Sequence, residues 1–113
     1  MFFLLDFPIL FYTIDIMKKE SSRFKPSSKY FDNFKDLPFT FNSLKNKKKV
    51  IFDLINVEYI SSNVIDILGK LHKELKKNKV IMEIINCNAN TYRILTKFGL
   101  TNNEFLKIKE KEI

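Results

Sequence analysis

The stretch VIFDLINVEYISSNVIDILGKLHKELKKNKVIMEII, Val50–Ile85, decides how this chain folds. It opens on VIFDLI, Val50–Ile55, a short run that is apolar at most positions. Such a run predicts a central strand covered on both faces. After a polar turn, Ser61–Lys77 carries Val64, Ile67, Leu68, Leu71 and Leu75 at helical spacing. Lys70, Lys73, Glu74, Lys76 and Lys77 fill the opposite face, so the segment predicts an amphipathic helix. Lys79–Ile85, KVIMEII, returns to the pattern of a strand. Strand, helix, strand at these lengths is the signature of an α/β fold.

Beyond this unit, Asn88–Lys97 predicts a second helix with Ile94 and Leu95 inward and Gly99 as its C-terminal cap. Phe105–Ile108 predicts a last short strand, and the charged tail Lys109–Glu112 frays. Before the unit, Phe2–Leu5 and Ile9–Tyr12 read as two strands around Asp6–Pro8, with Pro8 at a strand edge or start. Thr13–Glu20 reads as a short helix with Thr13 as N-cap. Ser21–Lys49 is polar and punctuated by Pro26 and Pro38, and aromatics are interleaved along it. Within it, Phe31, Phe34 and Leu37 at i,i+3 spacing predict a helix over Tyr30–Leu37, ended by Pro38.

The expected order is β-β-α-long connection-β-α-β-α-β. It describes an α/β fold with a single mixed β-sheet and helices packed on it. Residues 1–113 are expected to form one domain, with a variable insertion at 21–49. The apolar opening has no Lys or Arg before Lys18 and is broken by Asp6 and Pro8, which suits neither a signal peptide nor a membrane span. The start at Met1 and the lack of a span lead to the expectation of a free-standing chain or an excised piece.

Composition narrows the function. The single Cys87 can form no internal disulfide, and with the single His72 it offers no zinc cluster. Two glycines, Gly69 and Gly99, leave no glycine-rich phosphate loop. No metal and no cofactor is expected. The net charge is +7, carried almost wholly by Lys rather than Arg. It is shared nearly evenly between the first 60 residues and the rest, so no basic stripe marks a nucleic-acid site. Lys is adequate for a weak contact with an anionic membrane surface. Lys, Asn and Ile are all abundant, as in the products of an AT-rich genome.

The segment Val50–Leu100 resembles a STAS domain, the fold of anti-sigma factor antagonists and of the cytosolic tail of sulfate-permease-family anion transporters. Asp53-Leu54 matches the family's strand end. Val57, Tyr59 and Ile60 match the hydrophobic approach to its Asp-Ser-Ser/Thr-Gly segment, whose positions Ser61-Ser62-Asn63-Val64 occupy. Leu75-Lys76-Lys77 and Phe98-Gly99-Leu100 fall at the family's helix end and closing Gly-Leu. The opening FFLLDFPILFYTIDIMKKE and Cys87-Asn88-Ala89-Asn90 are similar to the transporter version.

The resemblance implies a non-enzymatic regulatory or protein-interaction module. Its expected partners are a switch-type kinase, an anti-sigma-like factor or a transporter region. The expected location is cytoplasmic, with the cytosolic face of a membrane as a variant. The departures from the family matter as well. Asn63 stands at the usual phosphoacceptor position and has no hydroxyl, Ser61 replaces the Asp, and Val64 replaces the Gly. Ser62 keeps a hydroxyl. The candidate interaction or phosphorylation surface is Ser61, Ser62, Asn63, Asn56, Glu58 and Asn88. The plainer reading of Ser61 or Ser62 is an N-cap of the following helix.

A small enzyme is the alternative from another class. Asp53 with Glu58 would be its paired carboxylates, and Cys87 or His72 its other candidates, but no convergent constellation accompanies them.

Overall fold

The computed structural model describes residues 21–34 and 41–112. Strands β1 (Ser22–Phe24), β2 (Tyr30–Phe31), β3 (Lys49–Asp53), β4 (Tyr59–Ile60), β5 (Ile81–Cys87) and β6 (Leu106–Glu110) alternate with helices α1 (Phe41–Leu44), α2 (Ser62–Lys77) and α3 (Ala89–Lys97). Four strands form one sheet in the order β1-β3-β5-β6, and β2-β4 form a separate two-stranded ladder. All of these named pairings are parallel. The strands expected at Phe2–Leu5 and Ile9–Tyr12 and the helix at Thr13–Glu20 lie outside the described residues.

Interior strands β3 and β5 come from the two apolar runs. Across the sheet, Val50 aligns with Met82 and Leu106, and Phe52 with Ile84 and Ile108; all six are buried. The chain steps in one direction from β3 to β5 to β6, and right-handed crossovers then place α2 and α3 on the same face. Val64, Ile65, Leu68 and Leu75 of α2 and Leu95 of α3 join the same core. Burying each such side chain contributes about 1.5–3 kcal/mol. The opposite face of the sheet is more open than the apolar run suggested. Ile51, Ile81 and Ile85 are half-buried there, beside an ion pair of Lys49 Nζ with Glu83 Oε2 at 3.0 Å.

Helices α2 and α3 start, and α3 ends, as the residue types dictate. Ser61 is the N-cap of α2, extended at φ −80° and ψ 156°, and its Oγ accepts from the Val64 N–H at 3.1 Å. Asn88 caps α3 by accepting from the Thr91 N–H at 2.8 Å. At the far end of α3, Gly99 at φ 89° donates to the Thr96 carbonyl while Leu100 N–H reaches the Leu95 carbonyl. This is a Schellman closure, with apolar Leu95 and Leu100 both buried. Helix α2 ends the same way through Lys79 at φ 57°, with Val80 N–H on the Leu75 carbonyl. Lys79 is therefore part of a helix cap, and the strand expected to start there begins at Ile81.

The helix expected over Tyr30–Leu37 does not form in its described part. Tyr30–Phe31 is strand β2 instead, and residues 32–34 have no regular structure. The reason is a distant partner. The Lys29 carbonyl accepts from the Glu58 and Tyr59 N–H groups, and the Phe31 carbonyl accepts from Ser61 N–H. These bonds bury Phe31 against Phe24 and Phe34 at ring-centroid distances of 5.9 and 5.1 Å. The polar connection thus supplies strand β1 to the sheet and one side of the small ladder.

Candidate interaction surface

In a parallel sheet the loops that follow the strands gather at the carboxyl edge, beside the N-termini of the crossover helices. Here these are the loop after β3, from Leu54 to Glu58, and the turn after β5, from Asn86 to Asn88. Asp53 holds them together. It is buried at 2% exposure, and its carboxylate accepts from three directions. Ile55 N–H reaches Oδ1 at 3.1 Å, Asn86 Nδ2 reaches the same oxygen at 3.0 Å, and Arg23 Nη2 bonds Oδ2 from strand β1. Burial pushes the Asp53 carboxyl up. The hydrogen bonds from Asn86, Arg23 and Ile55 and the guanidinium charge outweigh it, and the group lies below the usual carboxylate range.

Asn86 adopts φ 57° where the register between β5 and β6 slips between Ile84 and Cys87. Asparagine tolerates this left-handed conformation better than most side chains. The slip turns the chain toward Asn88, whose Nδ2 donates to the Glu58 carbonyl at 3.1 Å. One residue therefore caps α3 and pins the β3–β4 loop. Between these loops lies an open cleft of about 490 Å³, lined by Asn56, Glu58, Asn86 and Asn88 with Lys29 and Lys111 at its sides.

The six sequence candidates divide. Asn56, Glu58 and Asn88 share this cleft. The hydroxyl of Ser61 is committed to the helix cap and lies 3.5 Å from the Asp32 carbonyl. Ser62 and Asn63 are exposed in the first turn of α2, and Ser62 lines a different groove along that helix.

Sequence reasoning missed the most conspicuous group of this surface. Tyr30 and Tyr59, paired across the small ladder, stack at 5.3 Å and 14° while 61% and 55% exposed. Exposed paired aromatics are typical anchors of protein contacts. Tyr59 carried a signal in its sequence neighbourhood, but Tyr30 came within reach only through the ladder.

The enzyme candidates differ in their surroundings. The Asp53 carboxylate is fully engaged, whereas Glu58 is exposed at the cleft. Cys87 is buried, its Sγ lies 3.4 Å from the Lys109 carbonyl, and burial pushes the thiol up to about 11. A thiol so rarely ionised is a poor nucleophile. His72 lies on the flank of α2, where burial and then the charge of Lys76 lower its pKa. Among the described residues no group of three or more His, Cys, Asp or Glu could hold a metal ion. Nor is any helix among them long and apolar enough to cross a membrane.

No curated protein and no solved structure matches the chain. A family model does, over residues 5–112, and it is that of the STAS domain. The match runs through the capped helix, the carboxyl-edge loops and nearly everything else described above, so this chain belongs to the STAS domain family.

Proposed function

We propose that this chain is a non-enzymatic STAS module that works by protein–protein contact at its carboxyl edge. The contact surface consists of Asn56, Glu58 and Asn88, the exposed start of α2 at Ser62 and Asn63, and the Tyr30–Tyr59 stack. The observation that carries this reading is the bracing of separate loops into one surface. Asn88 ties the β3–β4 loop to α3, and the β2–β4 ladder ties Lys29–Phe31 to the approach to α2. A surface held rigid before contact loses little conformational entropy on binding. The partner is a switch-type kinase, an anti-sigma-like factor or a transporter region, and the setting is cytoplasmic.

The usual phosphoacceptor position holds Asn63, so regulation by phosphate there is absent. Ser62 is the exposed hydroxyl that takes its place, and phosphate on it would gain from the helix N-terminus. A second reading, the cytosolic domain of an anion transporter or a soluble relative, rests on the likeness of the opening stretch FFLLDFPILFYTIDIMKKE to the transporter version. The full-length gene tests it, through the presence of membrane-spanning segments.

The test of the contact surface is binding of purified candidate partners from these three classes to the native chain, Tyr59→Ser and Ser62→Arg. Loss of binding in folded variants supports the surface. Unchanged binding by both variants counts against it.

A further inference from the structure

A second groove runs along the outer side of α2, between that helix and the closing turn of α3. It measures about 490 Å³ and is lined by Ile65, Gly69, Lys70, Lys73, Phe98 and Leu100, among others. Its floor is apolar: Ile65 and Leu100 are 4% and 6% exposed. Its rim carries Lys73, Lys70 and Asp66 on α2, the last two ion-paired at 3.1 Å, and exposed Lys97 is next in sequence to Phe98. Phe98 projects from the rim with 61% of its surface exposed.

Gly69 gives the groove its meaning. It sits in the middle of α2, where glycine weakens a helix relative to alanine. Nothing among the described residues demands it. Its backbone is helical, and an added Cβ would meet only Leu100 Cδ2, at an ordinary 4.0 Å. Of the two glycines in the chain, Gly99 is explained by its φ of 89° and Gly69 is not. A missing Cβ on an accessible helix face lets another backbone approach closely.

We propose that this groove receives an acidic amphipathic helix of a partner protein, crossing α2 at Gly69. Apolar side chains of that helix cover Phe98 and Leu100, and its carboxylates face Lys73 and also Lys70, which exchanges its exposed ion pair with Asp66 for one across the interface. A second copy of this chain is a poor occupant, because its net charge is +7. The surface is concave at Gly69 with a single projecting aromatic, which suits an inserted helix better than a flat lipid surface. The proposal is independent of the carboxyl-edge surface, apart from Ser62 at one end of the groove.

The probe is a synthetic amphipathic peptide with Leu on one face and Glu on the other, titrated into isotope-labelled protein and followed by amide chemical shifts. Saturable shifts at Gly69, Lys70, Lys73, Gly99 and Leu100 are expected. They should weaken at least about tenfold in Gly69→Gln and in Lys73→Glu, and vanish for a peptide with Lys in place of Glu. Gly69→Ala should melt at a higher temperature than the native chain, since none of the described residues requires the glycine. The proposal is overturned if no saturable shift occurs there or if Gly69→Gln binds unchanged. It is also overturned if Gly69→Ala melts lower, if phosphatidylglycerol vesicles but not the peptide perturb these amides, or if the shifts follow protein concentration as a dimer would.

Discussion

The side-chain amide of Asn86 donates to Asp53 Oδ1 at 3.0 Å, joining the ends of two adjacent interior strands. The bond holds Asn86 at φ 57° and so sets the direction in which the chain leaves β5 for the cap of α3. The polar bond and the left-handed turn thus depend on each other.

Removing either partner should separate the two effects. Asp53→Ala leaves Arg23, Asn86 and Ile55 N–H without their acceptor and should cost about 2–3 kcal/mol in urea unfolding. Asn86→Gly loses the hydrogen bond but accepts φ 57° freely, whereas Asn86→Ala loses the bond and strains the backbone. Asn86→Ala should therefore be the less stable by about 1 kcal/mol. Equal stability of these two variants would mean that the turn relaxes once the bond is gone.

Acid should destabilise the protein in two stages of the same sign. His72 has a folded pKa below its ordinary value, so the unfolded chain takes up the proton more readily. Its contribution is fully present above about pH 6.5 and is lost as pH falls toward the folded value. Asp53 is also lowered, and its contribution is present above the ordinary carboxylate value and lost as pH falls through the folded one. Urea midpoints followed from neutral to acid should show both declines, and His72→Asn should abolish the upper one. An upper decline that survives in His72→Asn would assign it to another group.

The two serines before α2 should behave differently. Ser61→Ala removes the N-cap and should cost about 1 kcal/mol, while Ser62→Ala should be close to neutral. After incubation with a switch-type kinase and ATP, any phosphate found by mass spectrometry should sit on Ser62. Phosphate on Ser61 would require the cap to open and would contradict the geometry described here.

Thr91 presents the opposite case, a polar group with nothing to do. It is 1% exposed, and its Oγ1 has no hydrogen-bond partner among the described residues, although its N–H is capped by Asn88. Replacing the hydroxyl by a methyl removes an unpaired buried group, so Thr91→Val should stabilise by about 1 kcal/mol in thermal or urea unfolding. A loss of stability would show that the hydroxyl finds a partner in solution.

What the sequence determined by itself is what short-range chemistry dictates. The apolar runs at Val50 and Val80 become interior strands, the 3.6-residue pattern after Ser61 becomes α2, and Ser61, Asn88 and Gly99 end the helices they adjoin. Each of these choices is made within a few residues, so it can be read there. The family pattern was legible for the same reason, since it is written largely in those strands and caps.

Tertiary structure alone decided the rest. Tyr30–Phe31 has helical spacing, yet the Lys29 and Phe31 carbonyls find N–H groups far along the chain, and the backbone becomes a strand. Ser22–Phe24 is too short to declare itself and is a strand only because β3 lies beside it. Lys79 and Asn86 take left-handed conformations because a helix closure and a shifted ladder require them there. The Tyr30–Tyr59 stack and the groove over Gly69 join residues from separate segments. Except at Lys79, whose helix closure is local, the deciding hydrogen bond or contact is made by a partner distant in sequence, and no local pattern encodes it.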